Sequence, residues 1–277
     1  MKQPPLSITS ASNPLIKTLR GLDRKKNRSE TGLFLAEGTR LVLQGFENGW
    51  QAETLICACA MLDRPVVADL VERAQTQGTR VVQVTDRVMG QITRKDNPGA
   101  VIAAFQQQKR TLASISRQEN GIWLALYEVR DPGNLGTILR TADCAGLAGV
   151  ALLETCCDPY SIEAVRASMG SVFDIPFALS DFASFNTWRQ AEGLHMTAAS
   201  VNGTVRHDEA AYGGRAVILM GNEQAGLPIN VEAACDTLAL IPMRGGADSL
   251  NLAQATALMS YEAWRQRGFA GAREPKP

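Results

Sequence analysis

Three segments of this 277-residue chain combine glycine, asparagine and charge directly after a predicted strand. That is where open α/β sheets bind ligands. The first runs Val129-Arg130-Asp131-Pro132-Gly133-Asn134-Leu135-Gly136-Thr137-Ile138-Leu139-Arg140. Asp-Pro-Gly makes a turn, Asn134 can cap the helix that follows, and Arg140 falls near its second turn. The second, Gly221-Asn222-Glu223-Gln224-Ala225-Gly226-Leu227-Pro228, sets a carboxylate between glycines. Such a carboxylate needs partners, and the glycines let backbone approach a ligand closely. The third, Ile241-Pro242-Met243-Arg244-Gly245-Gly246-Ala247-Asp248-Ser249-Leu250-Asn251, leads from a strand through a glycine-rich loop into a long helix, a ready cradle of backbone amides. Each segment alone also has a plainer reading. These are a turn with a surface arginine, a tight loop with an exposed glutamate, and helix capping by Asp248 or Ser249.

Elements must hold these segments in place. In the second half, strands are predicted at Ile122–Tyr127, Gly149–Leu153, Val172–Leu179, Leu194–Ser200, Ala216–Met220 and Leu238–Ile241. Helical text lies at Leu135–Ala145, Ile162–Met169, Phe182–Glu192 and Leu250–Arg267. Alternating βα units imply a parallel sheet with flanking helices, and the unbroken apolar run Ala216–Met220 fits a strand covered on both faces. The first half also alternates. Strands are expected at Phe34–Gly38, Thr54–Ala60, Arg80–Val84 and Ala100–Phe105, and helices at Arg40–Asn48, Val66–Gln77 and Asp86–Thr93. The fold class is therefore α/β in two parts. Between them, Gln106–Asn120 turns polar and loses apolar periodicity, as a linker or surface helix does.

The chain has 28 Lys+Arg and 28 Asp+Glu, a balance that on its face disfavours a nucleic-acid partner. The total hides an asymmetry, +6 over residues 1–120 and −6 over 121–277. Separation of charge by halves hints at separate roles, with the basic half facing an anionic partner. No run of about 18 apolar residues could span a membrane, and Met1-Lys2-Gln3-Pro4-Pro5 opens no secretory signal, so a cytoplasmic protein is expected. Cys57, Cys59, Cys144, Cys156, Cys157 and Cys235 include no Cys-x-x-Cys pair, and only His195 and His207 accompany them. No metal site is predicted, and the cysteines read as buried small hydrophobes. His195 reads as structural and His207 as exposed. Dinucleotide, P-loop and Gly-x-Ser-x-Gly fingerprints are missing.

In this order and spacing, the three segments resemble the motifs of the SpoU (TrmH-like) family of RNA ribose 2′-O-methyltransferases, within the SPOUT superfamily. The matching residues are Asn134, Gly136 and Arg140; Gly221, Asn222, Glu223 and Gly226; and Ile241-Pro242-Met243 with Ser249-Leu250-Asn251. Gln224-Ala225 departs from relatives that carry glycine after the glutamate, which puts only the local loop shape in question. Asn13-Pro14-Leu15-Ile16-Lys17 and Phe34-Leu35-Ala36-Glu37-Gly38 resemble the family's L30e-like substrate-binding domain. The resemblance implies an L30e-like domain over 1–107, a linker at 108–120, a methyltransferase domain with a deep trefoil knot and mostly parallel sheet over 121–268, and a flexible tail at 269–277. It also implies a homodimer and S-adenosylmethionine bound near Ala199, Gly221, Ile241, Met243 and Leu250. Arg140, Asn134, Glu223, Ser249 and Asn251 match the family's functional polar set.

The reaction implied is in-line attack of a ribose 2′-oxygen on the sulfonium methyl, which requires positioning and proton removal. The family's proposed base is the arginine matched by Arg140. A guanidinium is a poor base, so Arg140 is expected to stabilise the developing alkoxide and bind the adjacent phosphate, across the dimer interface. Glu223 and Asn134 are expected to hold Arg140 or the loop, and Ser249 and Asn251 to orient the nucleotide or the third loop. The basic stretch Lys17–Arg28, with Arg24, Lys25, Lys26 and Arg28, is expected to touch RNA phosphates; a solvated helix face is the alternative. Ribosomal RNA is the first expectation for the substrate and transfer RNA the second. Two other classes stay open: a silent RNA-binding or ribosome-assembly factor with the same fold, and an unrelated α/β enzyme using a nucleotide cofactor.

Overall fold

The structure, a computed structural model, describes residues 5–93, 99–115 and 121–273. The remaining stretches of the expected linker and tail, 116–120 and 274–277, lie outside the described residues. The chain forms two compact units, one of residues 1–108 with 158–174 and the other of 109–157 with 175–277.

In the first unit, β1 (Leu6–Ile8), α1 (Pro14–Gly21), α2 (Lys25–Thr31), β2 (Leu33–Glu37) and α3 (Thr39–Glu47) precede β3 (Ala52–Ala58), α4 (Pro65–Thr76), β4 (Arg80–Val84), α5 (Asp86–Thr93) and β5 (Val101–Gln106). Asn13 starts α1 by accepting from Leu15 N at 2.9 Å, with Pro14 in the first turn. The mixed sheet runs β1-β4-β3-β5-β2. Ile16 and Leu19 of α1 and Met89 of α5 close over Leu35, Ile56, Val82 and Ile102. The stretch 158–174 completes this unit. Its Tyr160 and Phe173 join Phe34, Trp50 and Phe105 in one aromatic group, and Trp50 Nε1 donates to Phe173 O at 2.9 Å.

The helix α7 (Ile162–Ala167) lies in that stretch. The second unit contains β6 (Ile122–Tyr127), α6 (Pro132–Cys144), β7 (Gly149–Leu153), β8 (Phe177–Ser180), α8 (Phe182–Ala191), β9 (His195–Ala199), β10 (Val205–Arg206), β11 (Ala216–Met220), α9 (Ile229–Glu232), β12 (Thr237–Leu240) and α10 (Leu252–Gln266). Its sheet runs β10-β12-β9-β11-β6-β7-β8, and every described pairing is parallel. All carboxyl ends therefore meet one edge. The β11 strand lies between β9 and β6 and is wholly buried, as its apolar run required.

The strands β1 and β10 were not expected, and one expected strand is displaced. Val172 and Phe173 belong to a single tight turn, Ser171–Phe173, and β8 starts only at Phe177. Gly170 opens that turn at φ +112, and Pro176 has no N–H to pair. The apolar run is buried for aromatic packing, not for pairing. In the connecting stretch, Leu112 and Ile115 are buried in the second unit's core. Past α10, Phe269 packs on Trp264, whose Nε1 donates to Ala270 O at 3.0 Å.

The β12 strand inserts between β9 and β10, which are neighbours in the chain. Residues 200–207 cross it, with Ser200, Thr204 and His207 N–H donating to Ala239, Leu238 and Leu240 carbonyls. Gly203 permits the crossing, because a Cβ there would lie 2.5 Å from Leu240 N. Ordinary connections avoid such crossings, and a threaded C-terminal segment needs one.

Candidate active site

The three segments emerge from β6, β11 and β12 at the shared edge and meet through side chains. Asp131, not Asn134, caps α6 and accepts from Asn134 N; Pro132 fills the first helical position. This frees the Asn134 side chain. Its Nδ2 donates to Glu223 Oε1 at 3.3 Å, and its Oδ1 accepts from Asn251 Nδ2 at 3.0 Å. Asn251 Oδ1 accepts from Ala253 N at 2.9 Å and so caps α10, a role the plainer reading of this segment gave to Asp248 or Ser249. Glu223 also accepts weakly from Arg130 N and Asp131 N, both at 3.4 Å. A carboxylate only accepts, so Glu223 fixes which way both amides point.

The second loop is braced from within. Asn222 Nδ2 donates to Glu128 O at 2.8 Å, and Asn222 Oδ1 accepts from Gln224 N and Ala225 N. Asn222 and Gly226 pair as an antiparallel bridge. A Cβ on Gly221 would lie 2.6 Å from the Gly226 carbonyl carbon, so closure of the loop itself demands this glycine. Gly226 takes the left-handed conformation, at φ +65. Gln224-Ala225 thus leaves Glu223 held from both sides.

Around this string, Ala199 ends β9 and Ile241 follows β12, both half-buried, while Met243 and Leu250 are exposed apolar residues of the third loop. Ser249 is exposed and shows no side-chain hydrogen bond among the described residues. Arg140 lies in the third turn of α6, exposed, with no hydrogen bond or ion pair among the described residues. Glu223 and Asn134 hold each other and the loops, and neither holds Arg140.

The sequence model of the SpoU rRNA methylase family matches residues 121–261, just over half of the chain. The chain belongs to the SpoU rRNA methylase family. The MRM3-like substrate binding domain matches residues 13–103. A solved AdoMet-bound rRNA methyltransferase from Sinorhizobium meliloti is 43% identical, with a TM-score of 0.88 over 94% of this chain and 97% of that one. The 23S rRNA (guanosine(2553)-2′-O)-methyltransferase RlmP of Bacillus subtilis is 28% identical over 92% of this chain and 97% of its own length. The tRNA (cytidine(34)-2′-O)-methyltransferase of Ancylobacter novellus is 35% identical, matching 52% of this chain and 92% of its own.

In this SpoU chain the basic stretch divides in two. Arg24, Lys25 and Lys26 are exposed. Arg28 is not available to RNA, because its side chain is 4% exposed and donates through Nε and Nη2 to Asp158 Oδ2 at 2.8 and 2.7 Å. Its Nη1 donates to Leu22 O and Asp23 O. Arg28 is an internal brace between α2 and the 158–174 stretch. Local spacing carries no sign of this, since its acid lies far along the chain.

The cysteines also divide. Cys57 is buried, Cys156, Cys157 and Cys235 are half-buried, and Cys59 and Cys144 are exposed, contrary to the expected burial. Burial pushes the Cys156 thiol up to about 11, and burial aided by Cys156, Glu223 and Asp131 pushes Cys157 up to about 12. Neither is a thiolate nucleophile at neutral pH. His195 Nε2 lies 3.0 Å from Thr237 Oγ1, a structural contact between β9 and β12. The His207 side chain is 18% exposed, more shielded than expected, because its segment is held against β12.

Proposed function

We propose that this SpoU methylase transfers the methyl group of S-adenosylmethionine to a ribose 2′-hydroxyl of ribosomal RNA, as a homodimer in the cytoplasm. The observation that carries this reading is the Glu223–Asn134–Asn251 string, which joins all three motif segments at one sheet edge. The residues present fit the cofactor. Ala199, Gly221 and Ile241 at the ends of β9, β11 and β12, with Met243 and Leu250 of the third loop, offer neutral, largely apolar surface, which a positively charged sulfonium tolerates. When bound, the cofactor supplies an activated methyl and a good leaving group.

The chain's own residues supply position and charge. Arg140, unengaged on α6, binds the phosphate beside the target ribose and stabilises the developing 2′-alkoxide while the hydroxyl proton passes to solvent water, acting in the partner's site. Glu223 and Asn134 fix the first and second loops, and Asn251 fixes the start of α10. Ser249 meets the nucleotide. Arg24, Lys25 and Lys26 grip RNA phosphates.

The RNA class rests on the N-terminal unit. RlmP, which matches along nearly the whole chain, acts on 23S rRNA, whereas the tRNA enzyme matches only half of it. The test is transfer of labelled methyl from S-adenosylmethionine to purified ribosomal and transfer RNA, followed by nucleoside analysis. Label in 2′-O-methylated nucleosides of ribosomal RNA is expected, with Arg140→Lys reduced about 10²-fold through loss of the guanidinium fork. Label only in transfer RNA would reassign the substrate, and RNA binding without any transfer would favour a silent assembly factor.

A further inference from the structure

One acidic residue outside the three motif segments links the turns that follow β9 and β11. Glu232 ends α9, the short helix directly after the Gly221–Pro228 loop, and Val231 beside it is buried in the core. Its Oε1 accepts from Ser200 Oγ at 2.5 Å and its Oε2 accepts from Asn202 Nδ2 at 3.3 Å. Ser200 Oγ in turn accepts from Asn202 N at 3.0 Å, closing a small ring of bonds. Ser200 directly follows Ala199 on β9. The same turn is seated on β12, because Gly203 lies flush against Ala239 and Leu240 and Ser200 N donates to Ala239 O at 2.9 Å.

The tip of this turn has little else to hold it. Val201 is 72% exposed, and the turn carries no charged side chain of its own. Glu232 has no cation within ion-pair distance among the described residues, so its carboxylate is committed to two neutral donors. Hydrogen bonds to an ionised acceptor are stronger than neutral ones, and a turn held before binding saves the ordering cost on ligand uptake.

We propose that Glu232 is a positioning residue that holds the Ser200–Gly203 turn closed, so that S-adenosylmethionine meets a preformed surface at Ala199. It sets cofactor affinity and leaves the methyl-transfer step alone. The proposal rests on the cofactor reading above. Calorimetric titration of the full chain with S-adenosylmethionine and S-adenosylhomocysteine tests it, together with hydrogen exchange of residues 200–204 in the free protein. Glu232→Ala and Ser200→Ala should each weaken binding about tenfold, and the double variant should lose no more than either alone. Glu232→Gln, which keeps one acceptor oxygen, should fall between. Turnover at saturating cofactor should stay within about twofold of wild type, and the 200–204 amides should exchange faster in both alanine variants. Wild-type affinity and exchange in Glu232→Ala and Ser200→Ala would overturn the proposal and leave the cofactor reading standing. A wild-type chain that binds neither compound would overturn the cofactor reading and the proposal with it.

Discussion

Asn134 shows how one side chain serves two loops. Its amide donates to Glu223 and its carbonyl accepts from Asn251, so the string has a fixed direction that starts at the carboxylate. Replacing Glu223 by alanine should therefore disorder both amides. We expect turnover to fall about 10²-fold while cofactor affinity changes less than about threefold, read from single-turnover rates beside calorimetric titration. The reverse pattern would make Glu223 a binding residue. The three segments were legible in the sequence because glycine, asparagine and charge follow apolar strands, and the family resemblance ordered them. The division of labour within them was not. Asp131 and Asn134 are both good caps, and only the presence of Glu223 beside α6 decides that Asp131 caps while Asn134 bridges. Gly221 read as a site for close backbone approach, and the structure adds a second demand on it, because the loop's own Gly226 backbone would lie 2.6 Å from a Cβ there.

At the scale of elements, α1 and α2 separate two uses of positive charge that the sequence presents as one run. Lys17, Arg20, Arg24, Lys25 and Lys26 face solvent, while Arg28 closes on Asp158. Arg28→Ala leaves the half-buried Asp158 carboxylate without its cation, and the Leu22 and Asp23 carbonyls without their donor, and should cost about 3 kcal/mol, measured by urea denaturation. Alanines at Arg24, Lys25 and Lys26 should change stability by less than about 0.5 kcal/mol each. They should weaken RNA binding and flatten its salt dependence, with the slope dropping by about one for each phosphate no longer neutralised. Unchanged RNA binding in that triple variant would remove these residues from the interface. The partner of Arg28 was hidden because sequence patterns report neighbours along the chain, and Asp158 becomes a neighbour only through folding. The misplaced strand at Val172–Leu179 has a similar origin. An apolar run records burial, and Phe173 is buried against Trp50 and Phe105 without any strand pairing.

For the whole molecule, balanced charge conceals a basic half and an acidic half, and the motifs assign the acidic half its chemistry. The parallel sheet was legible from alternating strands and helices. The insertion of β12 between β9 and β10 was not, because apolar periodicity says nothing of strand order. The cysteines give a global prediction. Burial pushes Cys57, Cys157 and Cys235 up to about 12 and Cys156 up to about 11. The folded state therefore keeps these protons where unfolded thiols, ionising near about 8.5, release them. The stability they contribute is full below about pH 8 and is lost as pH rises through about 12, so the urea midpoint should fall from pH 8 to pH 10.5. Cys57→Ala should make that fall shallower. Methylation of ribosomal RNA at ribose 2′-hydroxyls can be read by mapping 2′-O-methylation across total RNA from cells with and without the protein. A ribosomal RNA site should lose its methyl group in the deletion strain and regain it with the wild-type chain but not with Arg140→Ala. A ribosomal RNA methylation map unchanged by the deletion would show that ribosomal RNA is not the substrate.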